Sequence, residues 1–300
     1  MQHANDSALN VAVTTSPALG DSLLLMTVAR NLQLSGKTVT VFSQHMQALR
    51  DWFPGIDIQP ALRDDEVDAR LRPFHTIIQL HANRPVPRLE QRHPDVLVLE
   101  HLCRAPSTEP MAARLAQFCR ESLRLQHAEP GNGLAVPAGL VHRKHPLRVA
   151  IHPTASTPDK RWLAPRFVRL ALALKAKGFE PHFIVTDEER ADWEHVQQHG
   201  IGLPRLGTLD NVAAWLVESG WFIGNDSGIG HLASCLRVPT LSLFMRRGIA
   251  RTWRPGWGAG KVLVGGAWLP TGRLKERGWK YALSVNQVLR AFQQLQHEAV

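Results

Sequence analysis

The sequence predicts an α/β protein made of two doubly wound, parallel-sheet domains. Three observations carry that expectation. Short apolar, β-branched runs recur along the chain and alternate with helical patterns. The alternation pauses once, in a polar, turn-rich stretch near the middle. The halves on either side each form a βα series, and sheets built that way are covered on both faces and bind ligands at the carboxyl ends of their strands.

Val11–Thr15 reads as the first strand. A Pro/Gly turn follows, then an apolar helix from about Asp21 to Leu34, closed by Gly36. Thr38–Phe42, Thr76–Leu80 and Val96–Leu99 read as further strands, and Pro110–Leu125 as a helix. Glu129–Gly133, Pro137, Gly139 and His142–Pro146 then form the pause, a plausible interdomain linker. The second series starts at Arg148–His152. It continues through a helix at Pro165–Lys177, a strand at His182–Thr186 and a charged helix at Asp187–Gln198 ended by Gly200. Trp221–Gly224 and Thr240–Phe244 are strands flanking a helix, and residues 284–297 read as an amphipathic C-terminal helix. The expected domains are 1–145 and 146–300, with the last helix free to pack back on the first domain.

Composition is that of a globular protein: 300 residues, 44% hydrophobic and 20% charged. The three cysteines, Cys103, Cys119 and Cys235, are far apart with no CxxC pair, which argues against a disulfide framework or a structural zinc site and for a reducing, cytoplasmic compartment. No signal peptide and no window of roughly 18 uninterrupted apolar residues is visible. The net charge of +9 is uneven. Residues 1–145 carry 15 Lys/Arg against 14 Asp/Glu, and residues 146–300 carry 20 against 12. A basic second half favours anionic partners such as nucleotides or phosphorylated lipids, or simply gives a soluble basic surface.

The strongest chemical signal is Gly224-Asn225-Asp226-Ser227-Gly228-Ile229-Gly230-His231, between a strand and a helix. Gly228 and Gly230 let backbone approach a ligand, the N–H groups of a helix start favour phosphate, Asp226 and Ser227 suit the N-cap, and His231 falls in the first turn. A well-capped helix explains the cap but not the cluster. The second signal is Ile151–Trp162. Thr154 and Ser156 offer hydroxyls and Lys160 and Arg161 offer charge for a diphosphate, although no GxxxxGK[ST] is present and a plain surface loop reads the same way. The third is Ser16–Ser22, where Asp21 is either an N-cap or a general base. In the fourth, Val185–Arg190, Glu188 or Glu189 would accept from a ribose, or simply favour a helix start. Arg246, Arg247, Arg251 and Arg254 beside Trp253 and Trp257 would suit an anionic glycolipid, nucleic acid or internal cation–π packing. His81, Arg84, Arg88, Arg92 and His93 form another basic stretch, able to meet a phosphorylated acceptor or merely to face solvent.

Three of these signals, in this order, resemble the bacterial heptosyltransferase-type glycosyltransferases of family 9. The matching pieces are Leu19–Ser22, His152–Ser156 with Lys160–Trp162, and Asn225–Ala233 followed by Val238-Pro239 and a strand. The resemblance implies a GT-B fold of two Rossmann-like domains facing a central cleft, with an acceptor-binding domain before a nucleotide-sugar domain. It implies inverting, metal-independent transfer with no cofactor, in which Asp21 is the base and Lys160 contacts the donor phosphates. The donor site would comprise Thr154, Ser156, Glu188, Asp226, Ser227, Gly228, Gly230 and His231. Members commonly use ADP-heptose and build the lipopolysaccharide core at the cytoplasmic face of the inner membrane, so an anionic glycolipid or glycan acceptor and a peripheral membrane contact are expected. The sequence departs from the family in lacking a glycine-rich turn before Asp187–Glu189, in its shorter length and in the Arg/Trp segment after Phe244. No nucleic-acid-binding motif is present. A non-catalytic nucleotide-sugar or glycan binder is the competing reading.

Overall fold

The computed structural model describes residues 9–105, 107–266 and 278–299. The chain divides into two compact units, residues 1–137 and 138–300. Each unit is built around one five-stranded, all-parallel sheet.

In the first unit the strands are β1 (Asn10–Thr14), β2 (Thr38–Phe42), β3 (Asp57–Gln59), β4 (Thr76–Gln79) and β5 (Val96–Val98), in the order β3-β2-β1-β4-β5. Chain order reverses between β1 and β4, so the loops leaving these two strands emerge side by side. The helix α1 (Leu19–Leu34) follows β1. It is apolar on nearly all sides, and Leu23, Leu24, Leu25, Met26, Val28 and Ala29 are all buried, as expected of a helix enclosed by neighbours. One of those neighbours is α5 (Met111–Glu121). Buried Asn31 of α1 donates to the Glu129 carbonyl at 2.8 Å and accepts from the Glu129 amide at 2.9 Å. Asn132 donates to the Leu23 carbonyl. The first part of the stretch read as a linker is therefore strapped to α1, because buried amide side chains there satisfy backbone groups that lack a sheet partner.

In the second unit the strands are β6 (His145–His152), β7 (Glu180–Phe183), β8 (Ser219–Asn225), β9 (Thr240–Phe244) and β10 (Gly260–Val264), in the order β10-β9-β8-β6-β7. Here the reversal lies between β6 and β8. A helix, α6 (Ala164–Lys175), follows β6, and α8 (Gly228–Cys235) joins β8 to β9. The C-terminal helix, Val285–Glu298, starts with a capping box of Ser284 and Gln287 and buries Val288, Ala291, Phe292 and Leu295 in the core of this unit. The charged helix expected after β7 is a 3-10 helix, Arg190–His199. Its sequence gives the reason. Trp193 and Val196 are buried three residues apart, with Arg190 three residues earlier donating to the carbonyls of Leu203 and Pro204, and side chains eclipse at that spacing in a three-residue turn.

Candidate functional site

The first constellation sits at the reversal point of the first sheet. Asp21 occupies the first turn of α1 and is not its cap. The cap position is Ala18, whose amide is taken by the Ser16 hydroxyl at 3.1 Å. The Asp21 carboxylate meets Nε2 of His81, just beyond β4, at 3.0 Å, and both side chains are mostly buried. Burial raises the Asp21 pKa, but the His81 hydrogen bond and charge, helped by Ser16 and Arg84, outweigh it and hold the carboxyl below its ordinary 3.8. Asp21 is therefore ionised at neutral pH, and the carboxylate retains lone pairs for a further donor. The Cys103 thiol is pushed up to about 11, first by burial and then by the charge of Asp21.

The second constellation sits at the reversal point of the second sheet. Lys160, in the loop after β6, meets Asp226, just beyond β8, at 2.9 Å. The loop is pinned on several sides. Buried Asn225 donates to the Pro153 carbonyl at 2.7 Å and accepts from the Trp162 amide at 3.0 Å. The indole of Trp279 donates to the Asp159 carbonyl at 2.8 Å, and Arg161 Nε donates to the Ala155 carbonyl at 3.0 Å. Ser227 caps α8, its hydroxyl accepting from the Gly230 amide at 3.4 Å. The start of α8 thus presents its remaining N–H groups and positive dipole end beside a lysine. Such an arrangement can hold a diphosphate.

The other residues singled out in the sequence fall around this core. Thr154 is buried and donates to Oε2 of Glu189 at 3.1 Å. Arg161 lies 3.8 Å from the same carboxylate. The structure therefore brings Glu189 into the cluster, whereas Glu188 is fully exposed outside it. Ser156 is exposed on the pinned loop. A Cβ on Gly230 would lie 3.5 Å from the Phe222 ring and 3.8 Å from Ser242, at ordinary contact distance, so a side chain there would point at the sheet. His231 is buried with its ring edge-on to Trp257, 6.3 Å between centroids. Trp257 is itself buried and its amide donates to Ser234, so this member of the Arg/Trp segment is part of the core and offers no stacking face. In the other basic stretch, Arg92 is held by Asp64 and Asp68, and His93 is buried between the carbonyls of Phe74 and Asp95.

Three residues named in the sequence gain a role only from the structure. His81 was visible only as one more basic residue, and nothing local ties it to a carboxylate 60 positions away. Asn225 lies within the glycine-bearing motif, and its local sequence gives it no role. His152 closes β6 with Nδ1 donating to the Ile184 carbonyl at 2.9 Å, and burial lowers its pKa, which keeps it neutral.

A sequence model of glycosyltransferase family 9 (heptosyltransferase) matches residues 90–272. A search of curated proteins found no match. Among solved structures, a family 9 glycosyl transferase from Veillonella parvula DSM 2008 is 18% identical and superposes with a TM-score of 0.76, covering 99% of this chain and 100% of that one. The E. coli ADP-heptose lps heptosyltransferase II is 16% identical with a TM-score of 0.72, over 97% of this chain and 100% of that one. E. coli heptosyltransferase WaaC with ADP is 12% identical with a TM-score of 0.65, over 96% and 100%. The two parallel-sheet units have the GT-B fold of these enzymes.

Proposed function

The chain belongs to glycosyltransferase family 9, and we propose that it transfers heptose from ADP-heptose to a lipopolysaccharide core or related anionic glycan, with inversion and without a metal ion. The observation that carries this reading is the Lys160–Asp226 pair at 2.9 Å, set beside a capped helix start at the reversal point of the second sheet. One similar structure holds ADP and another holds ADP-2-deoxy-2-fluoro heptose, which supports the same class of donor here.

Asp21 belongs to the first unit and Lys160 to the second. Asp21 takes the proton of the acceptor hydroxyl as its oxygen attacks the anomeric carbon. The bond from that carbon to the phosphate oxygen breaks, and its electrons leave with ADP. Lys160 has three donors, so it holds a phosphate oxygen while keeping Asp226. The free amides at the start of α8 share the developing charge. Thr154, Ser156 and the Glu188–Glu189 pair lie on loops of the same unit and would contact the rest of the donor, Glu189 being the acidic residue tied to Thr154. Among the described residues no helix is long and apolar enough to cross a membrane. In this reading the protein meets its acceptor as a peripheral protein at the inner face of the inner membrane.

A thermal-shift panel of ADP-, UDP-, GDP- and CMP-sugars tests the donor, since a ligand bound only to the folded state raises the melting temperature. ADP-heptose should give the largest shift. Asp21→Asn should abolish transfer to a heptose-deficient lipopolysaccharide without unfolding, and EDTA should leave the rate unchanged. Near-normal transfer by folded Asp21→Asn protein would sink the base assignment.

A further inference from the structure

We propose that His81 is a positioning residue for the transfer reaction: its Nε2–H holds one oxygen of Asp21 and so orients the carboxylate toward the acceptor hydroxyl. This rests on the reading of Asp21 as the base.

The evidence is the way the loop after β4 is built. Gln79, the last residue of β4, is completely buried. Its amide group donates to the carbonyls of His81 at 2.7 Å and Val86 at 2.9 Å, while its oxygen accepts from the Val86 amide at 3.1 Å and the Thr14 hydroxyl at 3.2 Å. The next amide, Ala82, donates to Glu100 at 3.0 Å. His81 also bridges to Arg84 across the loop in antiparallel fashion. The backbone of His81 is thus fixed from both sides by buried or half-buried groups, and the imidazole it carries ends 3.0 Å from Asp21. A surface ion pair needs no such support. A base whose angle of attack matters does, because small misplacements cost large factors in rate.

The other charged and titratable groups around the pair are Arg84 on the same loop, Glu100 and Cys103 on the helix Glu100–Arg104, and Arg114 of α5, which acts on Cys103. Ser16, from the loop after β1, hydrogen-bonds the carboxylate. His81 contributes the largest of the interactions that keep Asp21 ionised. Its loss must therefore raise the Asp21 pKa, so that the base is protonated at a higher pH than before.

The experiment compares wild type, His81→Ala, His81→Gln and Asp21→Asn in transfer from ADP-heptose to heptose-deficient lipopolysaccharide, across pH, with circular dichroism and melting temperature as folding controls. His81→Ala should lower kcat by about 10- to 100-fold, leave the donor KM within about twofold, and move the acid limb of the rate profile to higher pH. His81→Gln, which can place an N–H near the position of Nε2, should recover most of kcat. The proposal is overturned if folded His81→Ala keeps the wild-type kcat and acid limb, or if His81→Gln does no better than His81→Ala. Those outcomes with inactive Asp21→Asn remove only the role of His81, whereas active Asp21→Asn removes the base itself.

Discussion

Replacing Asn225 by Ala should destabilise the second unit and loosen the loop that carries Lys160. Asn225 is completely buried; its side chain accepts from the Trp162 amide and donates to the Pro153 carbonyl, with a longer bond to the Thr154 carbonyl at 3.4 Å. Trp162 and the end of β6 are buried as well, so alanine leaves a carbonyl and an N–H without partners. Each orphaned group costs roughly 1–3 kcal/mol. Partial relaxation brings the pair to about 3 kcal/mol, which for a unit of this size corresponds to a melting temperature lower by roughly 6–12 °C. The bonds span 63 and 72 residues, so they join β8 to the β6 loop and cannot be replaced by local rearrangement. Thermal unfolding by circular dichroism measures the stability, and calorimetric titration with ADP measures the site. ADP should bind more weakly to the variant even at temperatures where it is fully folded. A melting temperature within about 2 °C of wild type, with unchanged ADP affinity, would refute the argument that this clamp holds the loop.

Two further predictions follow from the same unit. Gly230→Ala should be tolerated, because its Cβ would meet Phe222 and Ser242 at ordinary contact distances and alanine favours a helix by about 1 kcal/mol over glycine; melting should not fall, and ADP affinity should change less than about threefold, whereas a large loss of affinity would show that the ligand needs the space. Burial depresses the pKa of His152 in the folded state relative to its ordinary 6.5. The unfolded chain then binds the extra proton, so stability contributed by neutral His152 is present above pH 6.5 and declines as pH falls below it. Melting curves between pH 5 and 8 should show this decline, and His152→Asn should flatten it.

The elements themselves were largely legible in the sequence. Thr38–Phe42 and Thr240–Phe244 are strands with the bounds that the apolar runs indicated. The C-terminal helix begins within a residue of where its amphipathic period placed it. Such features are local, set by side-chain periodicity and by capping chemistry within a few residues. The 3-10 helix after β7 was not legible as such, because a charged sequence with few apolar residues fits either helical form until Trp193 and Val196 find the core.

The site divides along the same line. Sequence alone determined that Asp21, Lys160 and the Gly224–His231 turn each stand where a strand gives way to a helix, the place where parallel sheets bind ligands. Only the tertiary structure decided their partners. Strand order puts β1 beside β4 and β6 beside β8, and that order alone brings His81 to Asp21, Asp226 to Lys160 and Asn225 to the loop between them. Strand order depends on how whole helices and strands share one core, and no short window of residues contains it. The same packing ties Glu189 to Thr154 while Glu188 stays exposed, and buries His231.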